Sequence, residues 1–125
     1  MRVQDVPGDG AWASARWPRT ESVERCGPVD GSARLAVVDT DAVKLIDGDE
    51  TLLLHWWLQR GEGPVSLLLW RNLGGWPASD PYRSIGVEPL LGAATDVDGA
   101  RPEQLARPDA VGRLAWSLQL QAGGA

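Results

Sequence analysis

Thr51-Leu52-Leu53-Leu54-His55-Trp56-Trp57-Leu58-Gln59-Arg60 runs into Gly61-Glu62-Gly63-Pro64 and then into Val65-Ser66-Leu67-Leu68-Leu69-Trp70-Arg71-Asn72. Side chains of a strand alternate between its two faces. Leu52, Leu54, Trp56 and Leu58 therefore share one face of the first run, and Leu53, His55, Trp57 and Gln59 share the other, so both faces are expected to be covered. In the second run Val65, Leu67 and Leu69 lie opposite Ser66, Leu68 and Trp70. The glycines and proline between the runs make a turn, so the pair reads as two neighbouring strands.

Upstream, Asp47-Gly48-Asp49-Glu50 is a tight turn, because Asp-Gly accepts the positive φ angles that hairpins demand. It joins a short strand at Val43 to Ile46 to the Thr51 strand. Before it, Leu35 and Val37 alternate with Ala36 and Val38 in another strand that starts at Ala33. Residues 1 to 30 show no apolar periodicity and are interrupted by Pro7, Gly8, Gly10, Pro18, Gly27 and Pro28, so a loop-rich segment is expected there. Trp12 and Trp17 are large apolar rings for such a segment and are expected to pack against a surface.

Downstream, Trp70-Arg71-Asn72-Leu73-Gly74-Gly75-Trp76-Pro77 leads through a loop to a strand at Arg83 to Glu88. Ile85 and Val87 should face the core there, and Ser84, Gly86 and Glu88 the other side. From Gly92 to Pro108 the chain is rich in Gly, Pro and Asp, with at most a short helical turn near Glu103 to Ala106. Leu114, Trp116, Leu118 and Leu120 then alternate with smaller or polar residues in a half-buried closing strand. Residues 122–125 should form a disordered tail. With no long amphipathic helix and no internal repeat, an all-β, antiparallel β-sandwich over residues 31–121 is the expected class.

The 125 residues are 43% hydrophobic and 23% charged, an ordinary composition for one domain with a modest core. A net charge of −5 gives no broad positive field for a phosphate backbone, so neither nucleic acid nor an anionic membrane is an expected partner. The single cysteine, Cys26, has no partner for an internal disulfide, which fits a reducing compartment. The chain starts without the apolar run of a secretory signal and contains no apolar stretch long enough to span a bilayer, so a cytoplasmic location is expected.

Glu88 is the first candidate for chemistry. Gly86 beside it on the strand face leaves open volume, and Pro89 holds it extended. Partial burial would raise its pKa toward that of a general base. The competing reading is a solvated glutamate at an edge where Pro89 stops the ladder. Trp70, Trp76 and Tyr82 form a possible platform for the apolar face of a sugar, or else anchor the core and its loops. Arg71, Asn72 and Arg83 carry donors for hydroxyl oxygens. His55, the sole histidine, has no companions for a zinc set and reads as a structural or surface histidine rather than a catalytic one. Asp96-Val97-Asp98-Gly99 begins like a calcium loop but lacks its third ligand and helical flanks, so it is read as a turn.

The run Leu69-Trp70-Arg71-Asn72-Leu73-Gly74-Gly75-Trp76-Pro77, with Tyr82-Arg83-Ser84-Ile85-Gly86-Val87-Glu88-Pro89-Leu90-Leu91-Gly92, resembles the C-terminal part of galactose mutarotase-like proteins, the aldose 1-epimerase group. Residues 20 to 121 fit that region, most specifically around Glu88. The resemblance implies part of a large antiparallel supersandwich, a hexose substrate and no metal or organic cofactor. It makes Glu88 the base on the anomeric hydroxyl, with Trp70, Asn72, Trp76, Tyr82 and Arg83 as the substrate-binding wall. Members of the group take their general-acid histidines from the preceding half, which has no counterpart here, and the role does not pass to His55. The chain is therefore expected to be a C-terminal fragment of such an isomerase, with a non-catalytic carbohydrate-binding module as the alternative. Sheet edges left without partners are expected to favour self-association.

Overall fold

The computed structural model describes residues 1–6, 8, 10–17 and 23–124. The chain is all-β, with two antiparallel sheets, as the alternating pattern predicted. Among the described residues the strands are β1 (Arg2–Asp5), β2 (Ala13–Ser14), β3 (Ala33–Val38), β4 (Ala42–Asp47), β5 (Glu50–Arg60), β6 (Val65–Leu73), β7 (Arg83–Leu91) and β8 (Ala115–Gly124). The helical turn expected near Glu103 is a single 3-10 turn at Pro102–Gln104. No helix among the described residues is long and apolar enough to cross a membrane.

The chain divides into two compact units, Met1–Val38 with Leu68–Glu88, and Asp39–Leu67 with Pro89–Ala125. The first unit is organised by a sheet of order β2-β1-β3-β6-β7. β1 pairs antiparallel with both neighbours, Val3 lying opposite Ala13 on β2 and Ala36 on β3. The loop-rich reading of residues 1 to 30 missed these strands. Arg2-Val3-Gln4-Asp5 is too short to show periodicity, and its order comes from the β3 ladder and from the Arg34 Nε donating to Asp5 Oδ1 at 2.7 Å. Trp12 is half-buried, with the Arg2 guanidinium 5.2 Å from its ring centroid, so the ring packs on its own chain. Ala33, Ala36, Val37, Val38, Leu69 and Leu73 are buried.

The second unit is organised by the sheet β4-β5-β8. Asp47 lies opposite Glu50, so Gly48 and Asp49 form a two-residue loop. Gly48, at φ 57°, supplies the left-handed conformation that the Asp-Gly pair predicted. On β5 Leu54 and Trp56 are buried, while Leu53 and Trp57 on the opposite face stay exposed. The expectation that both faces are covered therefore holds for one only. Leu53 lies between Lys44 and Gln121, and Trp57 faces Ser117, neighbours that offer little apolar cover.

β8 continues to Gly124, so residues 122–124 belong to the ladder rather than to a loose tail. Gly123 and Gly124 pair with Thr51 and Glu50, and the Thr51 hydroxyl donates to the Gly123 carbonyl at 3.0 Å. Backbone pairing, which needs no side chain, extends the strand past the point where the apolar pattern stops. The strand itself is not half-buried as expected: Trp116, Leu118 and Leu120 are exposed, and among the described residues β5 is the one strand that pairs with β8. The long connection before it is held by reciprocal backbone bonds between Glu62 and Arg107 at 3.0 and 2.8 Å.

Candidate functional site

The candidate site lies in the first unit, on β6, the loop after it and β7. Its centre is Trp70, half-buried on β6. The Trp70 indole N–H donates to the Tyr82 hydroxyl at 3.2 Å. Trp76 stands edge-on to both, with ring centroids 6.0 Å from Trp70 and 6.4 Å from Tyr82 and interplanar angles of 89° and 73°. Edge-to-face contacts of this kind contribute roughly 0.5–1.5 kcal/mol each beyond the area they bury. The three rings brace one another, yet Trp76 remains 42% and Tyr82 44% exposed. The three rings grouped from the sequence are thus in contact with one another.

Asn72 is where the sequence reading fails. It was expected to bind substrate, but it is completely buried and both ends of its amide are engaged. Its Oδ1 accepts from the Gly75 and Trp76 backbone N–H groups at 3.0 and 3.2 Å, and its Nδ2 donates to the Trp76 carbonyl at 2.5 Å. Asn72 is therefore the clamp that sets the loop carrying Trp76, and no donor of it faces a ligand. The Trp76–Pro77 peptide in that loop is cis. Gly75 is required where it stands, because a Cβ would collide with the Ser32–Ala33 backbone.

Arg83 is likewise committed. Its Nε donates to the Gly27 carbonyl at 2.7 Å and its Nη2 to the Cys26 carbonyl at 2.9 Å, so it ties β7 to the loop before β3. The Cys26 side chain itself is free and exposed. Arg71, also read as a surface donor, is buried beneath the same loop. Its guanidinium donates to the Arg25 carbonyl at 2.9 Å, the Ser32 hydroxyl at 3.0 Å and Asp30 Oδ2 at 3.2 Å. The Asp30 carboxyl is held below its ordinary value, first by hydrogen bonds from the Ser32 hydroxyl and backbone N–H and then by Arg71. An arginine that shares a strand face with apolar residues, here Leu69 and Leu73, is the sequence signal for such a buried role, since a guanidinium leaves water only where acceptors await it.

Glu88 sits at the end of the same face. Gly86 does leave room beside it, as expected, but the carboxylate fills that room itself. A Cβ placed on Gly86 would lie 3.1 Å from Glu88 Oε1 and 3.4 Å from Trp70 Cβ. The carboxylate is therefore folded over Gly86 next to Trp70. It is exposed rather than partly buried, on what is the last strand of its sheet among the described residues. Ile85, expected to face the core, is 36% exposed on the same strand. Pro89 falls on this edge strand, the kind of strand to which proline in a sheet is confined.

Together these residues make an open aromatic shelf with one carboxylate at its margin. Such a shelf can pack the C–H face of a ring, and the carboxylate can accept hydrogen bonds from hydroxyl groups or take a proton from one. Among the described residues no group of three or more His, Cys, Asp or Glu is arranged to hold a metal ion. His55 is on β5 in the other unit, its ring 5.0 Å from Trp57 and its Nε2 3.7 Å from Asp41 Oδ2. Asp96 forms a turn, its Oδ1 accepting from the Asp98 backbone N–H at 3.0 Å. No family model, no curated protein and no solved structure matches the chain.

Proposed function

We propose that the chain binds a hexose-type sugar on the shelf formed by Trp76 and Tyr82. The observation that carries this reading is the bracing of three aromatic rings in a way that leaves two of them open to solvent. Rings with no ligand to meet would gain more by turning inward, since burying a large apolar side chain is worth roughly 1.5–3 kcal/mol. Here Asn72 holds Trp76 at the surface instead, and Trp70 holds the Tyr82 hydroxyl in a fixed direction. The sugar's axial C–H groups would lie on the rings, and Glu88 would accept from its hydroxyls. Tryptophan fluorescence quenched by a hexose in the parent chain, and unquenched in Trp76→Ala, is the expected result. No change in the parent chain with any hexose would refute it.

A second reading is that Glu88 removes the proton from the anomeric hydroxyl, as the resemblance to the aldose 1-epimerase group implies. What favours it is the position of the carboxylate, solvent-open and directly beside Trp70. Ring opening also needs a proton delivered to the ring oxygen as the first is removed, and one well-placed group supplies only ~10²–10⁴-fold. Exchange between sugar anomers, followed by NMR, separates the two readings. A rate above the buffer value that Glu88→Gln removes supports catalysis; binding without exchange supports a carbohydrate-binding module.

A further inference from the structure

The four sheet edges among the described residues are not treated alike by the sequence. An uncovered edge is a row of unpaired backbone donors and acceptors, and proteins blunt it by shortness, charge or proline. β2 is two residues long. β4 carries Lys44 and Asp47, both exposed. β7 carries Arg83, Glu88 and Pro89. β8 has none of these devices: Ala115-Trp116-Ser117-Leu118-Gln119-Leu120-Gln121-Ala122-Gly123-Gly124 contains no charge and no proline over ten residues. It also presents Trp116, Leu118 and Leu120 at 45, 39 and 59% exposure.

We infer that β8 is the interface of a homodimer, pairing antiparallel with β8 of a second copy of this chain. A strand free of charge can lie against itself in any register without setting like charges opposite one another, whereas the charged side chains of β4 and β7 restrict the registers open to them. Antiparallel self-pairing about a two-fold axis perpendicular to the sheet is self-complementary, and it keeps both copies of Trp116, Leu118 and Leu120 on one face. A parallel arrangement would set the apolar side chains of one copy level with the glutamines of the other. The axis falls at the middle of the strand, near Gln119 and Leu120. The joined sheet then has the order β4-β5-β8-β8-β5-β4, and both of its outer edges are the charged β4. Growth therefore stops at two copies rather than continuing into a fibre.

Sedimentation of the full chain across a concentration series tests this. The parent chain is expected to have the mass of two chains and to dissociate on dilution. Leu120→Lys on the apolar face and Gln119→Lys on the polar face should each raise the dissociation constant roughly tenfold or more, because each sets like charges close together across the axis. Ile46→Lys, on the exposed side of β4, should leave it unchanged. If Leu120→Lys fails to fold, Gln119→Lys still decides, since apolar faces stacking without edge pairing would not respond to it. A parent chain that stays monomeric at every concentration, or a dimer that survives Gln119→Lys, would overturn the inference.

Discussion

Glu88 and Trp76 carry the functional reading at the scale of single residues, and they should fail differently when changed. Glu88→Gln keeps the size of the side chain and loses its charge. The account predicts sugar binding weakened by about tenfold or less, the loss of one charge-assisted hydrogen bond. Loss of the aromatic contact in Trp76→Ala should remove binding altogether. Equal losses in the two variants, measured by titration calorimetry, would contradict the shelf. Asp30 makes a separate prediction from pH. Its carboxyl lies below the ordinary value of 3.8 in the folded chain, so its stabilising contribution is present above that value. The contribution fades as pH falls through the lower folded value. Denaturant titrations of the parent chain and Asp30→Asn should differ near neutral pH and converge once the pH has fallen through that lowered value. A gap that persisted in acid would assign the effect to something other than the charge.

At the scale of the element, the β6–β7 connection owes its shape to Asn72. Asn72→Ala leaves the Gly75 and Trp76 N–H groups without their acceptor, and should cost about 2 kcal/mol of stability. It should also release Trp76 and so weaken sugar binding in a variant that still folds. An Asn72→Ala chain with unchanged stability and unchanged binding would mean that the loop is held by other contacts. Element by element, the sequence was legible where alternation is long. β3, β5, β6 and β7 appear close to where the apolar periods placed them, and the Asp-Gly turn stands between Asp47 and Glu50. β1 was not legible, because four residues cannot display a period. The extension of β8 through Gly123 and Gly124 was hidden because glycine has no side chain to report a face. Residue type revealed which aromatics would gather, but not the direction of Asn72, Arg71 and Arg83. Arg71 and Arg83 bond groups some forty to sixty residues away in sequence, which no local pattern marks, while Asn72 turns back onto the loop that follows it, at Gly75 and Trp76.

For the molecule as a whole, the two units carry different properties. The first contains the aromatic shelf with Glu88, and the second contains the uncharged edge of β8. The expected sandwich class agrees with two antiparallel sheets, while exposure along β5, β7 and β8 shows how much apolar surface the pattern alone had overassigned to the core. The seven tryptophans divide between the units, with Trp12, Trp17, Trp70 and Trp76 in the first and Trp56, Trp57 and Trp116 in the second. Indole N–H signals in a proton–nitrogen correlation spectrum therefore report the shelf separately from the rest. The most direct measurement is a titration of the parent chain with galactose and with glucose, with these signals assigned by single Trp→Phe substitutions. The account predicts that at least one of the two sugars shifts the Trp76 and Trp70 signals in a saturable manner, while Trp56 and Trp116 stay in place. Signals that stay unmoved with either sugar, or that move only for Trp56 and Trp116, would contradict a sugar site on this shelf.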